Sequence, residues 1–188
     1  MDVEIEISSR AAVNRGEAKR LRAEGKIPCL MYHRGSTGEI FWVQKAQIEA
    51  VLRELEFGFL PTTIFQLKDA SGKKRRAIVK DIQYQVTSYD VLHIDFLELQ
   101  NDQAVDVKVP VEFLNVAECV GIKAGGFLRP IRRHIPVRCL PKAIPTHFRI
   151  DVKNLDIRDV CRVSDLIALP AGVTLLVKPQ DVVATVVK

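Results

Sequence analysis

Val3, Ile5 and Ile7 alternate with Glu4 and Glu6, the period-two pattern of a strand with one buried face, and Ser8-Ser9 closes the run. Residues 17–24 (EAKRLRAE) then change period. Strong helix formers with Ala18 and Leu21 as the apolar positions, stopped by Gly25, predict a helix of about two turns. IPCLMY (27–32) reads as a strand with Pro28 at a sheet edge, RGSTGE as a turn, and IFWVQ as the second arm of a hairpin. Ala46, Ile48, Val51, Leu52 and Leu55 recur at near-helical spacing until Gly58 and Pro61 break the pattern. TTIFQL, a turn at 69–72 and a long strand over 74–86 follow. VLHIDFL (91–97) places His93 and Asp95 on one face and Leu92, Ile94 and Phe96 on the other.

These elements, some six strands and two helices in no β-α-β order, predict a compact α+β or barrel-like domain. Past the polar link Gln100–Gln103 the texture changes: AVDVKVPVEF alternates as a strand, and valines, prolines and strand-sized runs dominate. Helical periodicity survives there only around Arg162–Ile167. With the boundary at 97–102, the reading is a first domain over 1–97 and a separate β-rich domain over 98–188.

Charge changes this picture by where it clusters. The chain has 188 residues, 47% hydrophobic and 27% charged, with a net charge of +5, an ordinary soluble composition. The stretch Arg10–Arg34 alone holds seven Lys and Arg against two Glu, also +5, so the remainder balances to zero. The predicted helix inside it would spread Arg15, Lys19, Arg20 and Arg22 over more than half its circumference. That is a surface for a polyanion, with a merely solvated helix face as the competing reading. Tyr32 and His33 add rings suited to stacking or to a ribose, which favours RNA over a membrane surface. No run of about 18 apolar residues exists for a spanning helix, and MDVEIEISS lacks the pattern of a signal peptide. With four isolated cysteines (Cys29, Cys119, Cys139, Cys161), these features predict a cytosolic protein with reduced, mostly buried thiols.

Catalytic and metal motifs are thin. His93 and Asp95 could form an acid–base or metal pair, but no nucleophile or second carboxylate motif accompanies them; polar readers on an exposed strand fit better. Lys80-Asp81-Ile82-Gln83 offers a charge and an amide on a neighbouring strand, or an ordinary exposed strand face. Gly125-Gly126 lacks phosphate-loop spacing and reads as a tight turn, and His134 with Cys139 has no matching ligands. Arg129, Arg132, Arg133 and His134 make a second basic cluster, suited to an RNA or protein contact or to a solvated loop. No metal, cofactor, small-molecule substrate or membrane partner is expected.

Three stretches, RGEAKRLRAEGKIPCLMY (15–32), KDIQYQVTSYDVLHIDF (80–96) and VPVEFLNVAECVGIKAGGFL (109–128), with RCLPKAIPTHFRIDVKNLDI later, resemble the bacterial large-subunit ribosomal proteins numbered twenty-five, the 5S rRNA-binding, general stress protein Ctc family, in the long two-domain form. The resemblance runs through nearly the whole chain in order. It implies a mainly β, α+β fold: a six-stranded barrel-like N-terminal domain with short helices that grips 5S rRNA, followed by a β-rich C-terminal domain. It implies a non-catalytic constituent of the large subunit in the cytoplasm, with neighbouring ribosomal proteins as partners of the second domain. Its RNA contacts fall on Arg10, Arg15, Lys19, Arg20, Arg22, Tyr32, Lys80, Gln83, His93 and Asp95. The chain departs from the family pattern at Asn14-Arg15-Gly16, at His33 and Arg158 where glycines are usual, and at Gln85-Val86 where His-Pro is usual. The rival reading is a stress-response interaction module acting mainly through the second domain.

Overall fold

A computed structural model describes residues 2–10, 14–33, 35, 37–56 and 58–188. Arg34 of the basic stretch and Ser36 of the predicted turn lie outside the described residues. The chain divides into two compact units, 1–103 and 104–188.

The first unit runs β1 (Asp2–Ser9), α1 (Arg15–Ala23), β2 (Lys26–Tyr32), β3 (Glu39–Gln44), α2 (Lys45–Glu54), β4 (Ile64–Asp69), β5 (Lys74–Tyr84) and β6 (Val91–Glu98). The six strands close into a barrel in the order β1-β3-β2-β6-β5-β4, sealed by parallel pairing of β1 with β4. Closure leaves no free edge and sends every second side chain inward. Ile5, Ile7, Ile27, Cys29, Met31, Phe41, Val43, Phe65, Leu67, Val79, Ile94 and Phe96 form the core. Phe96 is its centre, with ring centroids 6.0 Å from Phe41 and 5.9 Å from Phe65. Helix α2 buries Ile48 and packs Val51 and Leu52 on this core, as its spacing predicts, while Ala46 faces solvent.

Pro28 is not at a sheet edge. It is buried, opposite Trp42 of β3, and the pairing of β2 with β6 begins one residue later at Cys29. The missing N–H therefore falls before the second ladder starts, which is how a proline fits into an internal strand.

The second unit contains β7 (Val105–Leu114), α3 (Val120–Lys123), β8 (Phe127–Pro130), β9 (His134–Cys139), β10 (Phe148–Asp151), β11 (Val160–Arg162), β12 (Val173–Leu175) and β13 (Val182–Val187). They form a four-stranded sheet, β10-β7-β9-β12, and a three-stranded sheet, β11-β13-β8. The helical periodicity around Arg162–Ile167 yields only a single 3-10 turn at Val163–Asp165. The N–H groups of Val163, Ser164 and Ile167 donate to the carbonyls of Asp181, Pro179 and Arg149, so tertiary bonds take the donors a helix would need. Conversely, Val120–Lys123 is a one-turn helix that no periodicity marks. Gly125-Gly126, expected as a β-turn, closes that helix, with Gly125 at φ +89° and the Gly126 N–H donating to the Gly121 carbonyl. All four cysteines are buried free thiols, and burial pushes the Cys161 thiol up to about 11.

Candidate nucleic-acid interface

Helix α1 begins two residues earlier than its sequence pattern indicates, because Asn14 caps it: its side-chain oxygen accepts from the Glu17 N–H at 2.7 Å. Arg20 and Arg22 lie in the last turn, where the helix dipole favours cations, and Gly25 leaves the helix at φ +73°. Leu21 is the one buried residue of α1, and the helix rests on β2. Arg15, Lys19, Arg20 and Arg22 are all exposed. Arg20 pairs weakly with Glu24 at 3.8 Å and keeps 75% of its side chain in solvent.

Arg10 differs from the other cations. Its side chain is only 6% exposed and lies 3.5 Å from the Glu17 carboxylate in the first turn of α1. This geometry fixes the start of the helix and turns the guanidinium inward.

Two bulges shape the other half of the site. In the β5–β6 pairing, Val79 faces Phe96 but Asp81 faces Asp95, which makes Lys80 the extra residue of one bulge. Gln83 faces His93 but Tyr84 faces Val91, so Leu92 is the extra residue of the second. With Ile94 and Phe96 inward, His93 and Asp95 point out of the barrel, beside Asp81 and Gln83 of β5 and Tyr32 of β2. His93 Nδ1 lies 2.9 Å from Asp95 Oδ1, which orients the ring and leaves Nε2 as the nitrogen for a ligand. Burial, then the Asp95 and Asp81 carboxylates, hold the Tyr32 hydroxyl above its ordinary pKa, so it stays a donor. Two carboxylates directly across the ladder repel phosphate; what they attract is a hydrogen-bond donor, such as a base amino group or a 2′-hydroxyl.

The two halves are joined by Arg22, whose Nε donates to the carbonyl of Leu92, the bulge residue before His93, at 3.0 Å. The structure thus brings Arg15, Lys19, Arg20 and Arg22 onto α1, and Tyr32, Gln83, His93 and Asp95 onto the adjoining outer face of β2-β6-β5, with Lys80 exposed at its bulge. Sequence reasoning missed the support beneath it. Lys45, at the start of α2, donates to Asp90 at 2.6 Å, and Asp90 also accepts from Ser88 Oγ at 2.6 Å, which ties down the β5–β6 hairpin. Forty-five residues separate Lys45 from Asp90, and no local pattern links them. At the departures from the family pattern, Val86 stands 88% exposed on this hairpin and Arg158 takes a left-handed φ of 77°.

Residues 5–96 match the Ribosomal L25p family, and residues 104–188 match the C-terminal domain of ribosomal protein TL5. Large ribosomal subunit protein bL25 of Chlamydia pneumoniae is 35% identical over 184 residues, 98% of each chain. That of Chlamydia abortus is 38% identical over 184 residues with the same coverage, and that of Chlamydia trachomatis serovar A is 36% identical over 186 residues, 99% of this chain and all of the relative. This chain belongs to the bacterial bL25 family, in its long two-domain form. The bL25 family is structural, not enzymatic, and is found in the bacterial cytoplasm. Among the described residues no helix is long and apolar enough to cross a membrane. None of the bL25 matches supports the stress-response interaction module.

Proposed function

We propose that this chain is a structural constituent of the large ribosomal subunit that binds 5S rRNA through its first unit. Helix α1 supplies affinity: Arg15, Lys19 and Arg20 meet phosphates, and Arg22 both contributes charge and fixes the helix to β6. The outer face of β2-β6-β5 supplies selectivity. Tyr32, Gln83, His93 and Asp95 face the wide, shallow groove of an A-form helix and its 2′-hydroxyls. Arg10 acts through the start of α1, and Lys80 adds charge at its bulge. The observation that carries this reading is the Arg22–Leu92 bond, which makes the basic helix and the polar strand face one continuous surface.

The test is the salt dependence of 5S rRNA binding by the full chain. Each neutralised phosphate contributes a log–log slope of about −0.7 to −0.9. Arg20→Ala is expected to make the slope shallower by about one such increment, equally for 5S rRNA and for unrelated RNA. Asp95→Ala is expected to leave the slope in place and to narrow the preference for 5S rRNA over other RNAs. A slope unmoved by Arg20→Ala, or a preference unmoved by Asp95→Ala, overturns the division of roles.

A further inference from the structure

The second unit carries the chain's net charge: residues 104–188 hold thirteen Lys and Arg against eight Asp and Glu, whereas residues 1–103 hold fifteen of each. Part of that charge lies on the three-stranded sheet. In β13, Ala184 and Val186 are buried, so Thr185 and Val187 lie on the other face. The register puts Val160 and Arg129 on either side of Thr185, and Phe127 beside Val187. Phe127, 57% exposed, is the only aromatic residue on the three strands, and Arg129 is two positions along the same edge strand. Arg162 is the next outward position on β11, and Arg158 docks its N–H on the Val186 carbonyl at 2.9 Å.

The nearby carboxylates Asp159, Asp165 and Asp181 each have a partner of their own. Asp159 accepts from the Asp156 N–H, Asp165 from the Arg162 N–H, and Asp181 pairs with Arg132 at 3.1 Å. Neither Arg129 nor Arg158 makes a side-chain hydrogen bond or ion pair among the described residues. Arg158 is held at φ 77°, a backbone conformation that costs an arginine where glycine would fit freely.

We infer that the outer face of β11-β13-β8 is a second RNA-binding surface, taking unpaired nucleotides with one base stacked on Phe127 and the backbone held by Arg129. An exposed aromatic ring on a sheet, flanked by arginines and free of outward carboxylates on its strands, matches how single-stranded nucleic acid is bound without base readout. A duplex would find no such use for the ring, because its bases are already stacked. This surface lies on the other unit from the one proposed for 5S rRNA and stands independently of it.

The test uses the full chain and a fluorescein-labelled oligouridine of about 10 nucleotides, followed by anisotropy. The parent for comparison carries Arg15→Gln, Lys19→Gln and Arg20→Gln, which disables the first surface. That parent is expected to bind the oligomer; adding Phe127→Ala weakens binding about 10-fold, and Phe127→Trp restores it. Arg129→Gln makes the salt slope shallower by about 0.7. Loss of all oligouridine binding in the triple parent, equal binding by Phe127→Ala, or displacement by poly-glutamate as effective as by unlabelled RNA overturns the inference. The last result would assign the face to an acidic protein segment. Retained 5S rRNA binding by Phe127→Ala on the unmodified chain separates failure here from failure of the first surface.

Discussion

Single residues in this chain show how side chains that look alike on paper take different work. Five arginine and lysine positions near the start share one charge and one expected partner, yet Arg10 is buried against Glu17, Arg22 is bonded to a strand carbonyl, and Arg15, Lys19 and Arg20 stay in water. Sequence supplies their charge and not their orientation, because orientation depends on where β6 passes, some 70 residues on. His93 and Asp95 were legible, since an i, i+2 pair on a strand must share a face, and the structure puts them in contact. Arg158 is a residue-scale test of backbone cost. A non-glycine residue in the left-handed region is strained, and glycine relieves this at some expense in unfolded-chain entropy. Arg158→Gly is expected to stabilise the second unit by about 0.5–1 kcal/mol, read as a melting transition raised by about 2–6 °C. An unchanged or lowered transition would contradict a net backbone cost at Arg158.

At the scale of elements, the six barrel strands, β7 and helices α1 and α2 are legible because their periods are clean, whereas β8 to β13 are mostly too short to be placed one by one from strand-sized runs. The misses have one physical cause. Pro28, the 3-10 turn at Val163–Asp165 and the short α3 are all decided by partners distant in sequence, which local pattern does not register. The bulges at Lys80 and Leu92 belong to the same class: alternation continues on both sides of them, and only the register reveals the extra residue. The β5–β6 hairpin that carries Gln83 and His93 is steadied by the bond from Lys45 to Asp90. That bond, then the Ser88 hydroxyl, hold Asp90 below its ordinary 3.8, and the same pairing raises Lys45 above 10.5. A depressed carboxylate contributes stability that is fully present above its unfolded pKa and is lost as pH falls through its folded value. The raised Lys45 contributes below its own unfolded value and loses this only as pH rises through the folded one. Asp90→Asn is therefore expected to lower the urea midpoint by a constant small amount at neutral pH, with the difference from the natural chain closing below 3.8. A difference that persists in stronger acid would assign the effect to something other than the charge on Asp90.

For the whole molecule, the boundary between units has a consequence for dissection. The break in sequence texture falls at 97–102, while the first compact unit runs to Gln103. Leu99 lies in between, 9% exposed, with its N–H donating to the Arg76 carbonyl at 2.8 Å. A fragment of residues 1–103 is expected to be more stable than one of 1–97 by about 2–4 kcal/mol, from one buried leucine and one hydrogen bond. Comparison of denaturant midpoints checks this, and equal midpoints would show that Leu99 contributes nothing to the barrel. The division also relocates the charge: the unit with the basic helix is neutral overall, and the excess lies on the second unit. The RNA binding proposed for α1 therefore rests on the clustering of charge and not on the net charge of the unit.

In the proposed function, helix α1 and the outer face of β2-β6-β5 bind 5S rRNA as one surface. Hydrogen exchange of the full chain, measured with and without 5S rRNA, reads this surface residue by residue. Slowed exchange is expected in residues 15–24, 80–85 and 91–97 together, with β4 and the far side of the barrel unchanged. Protection of the helix without the strands, or of neither, would contradict it.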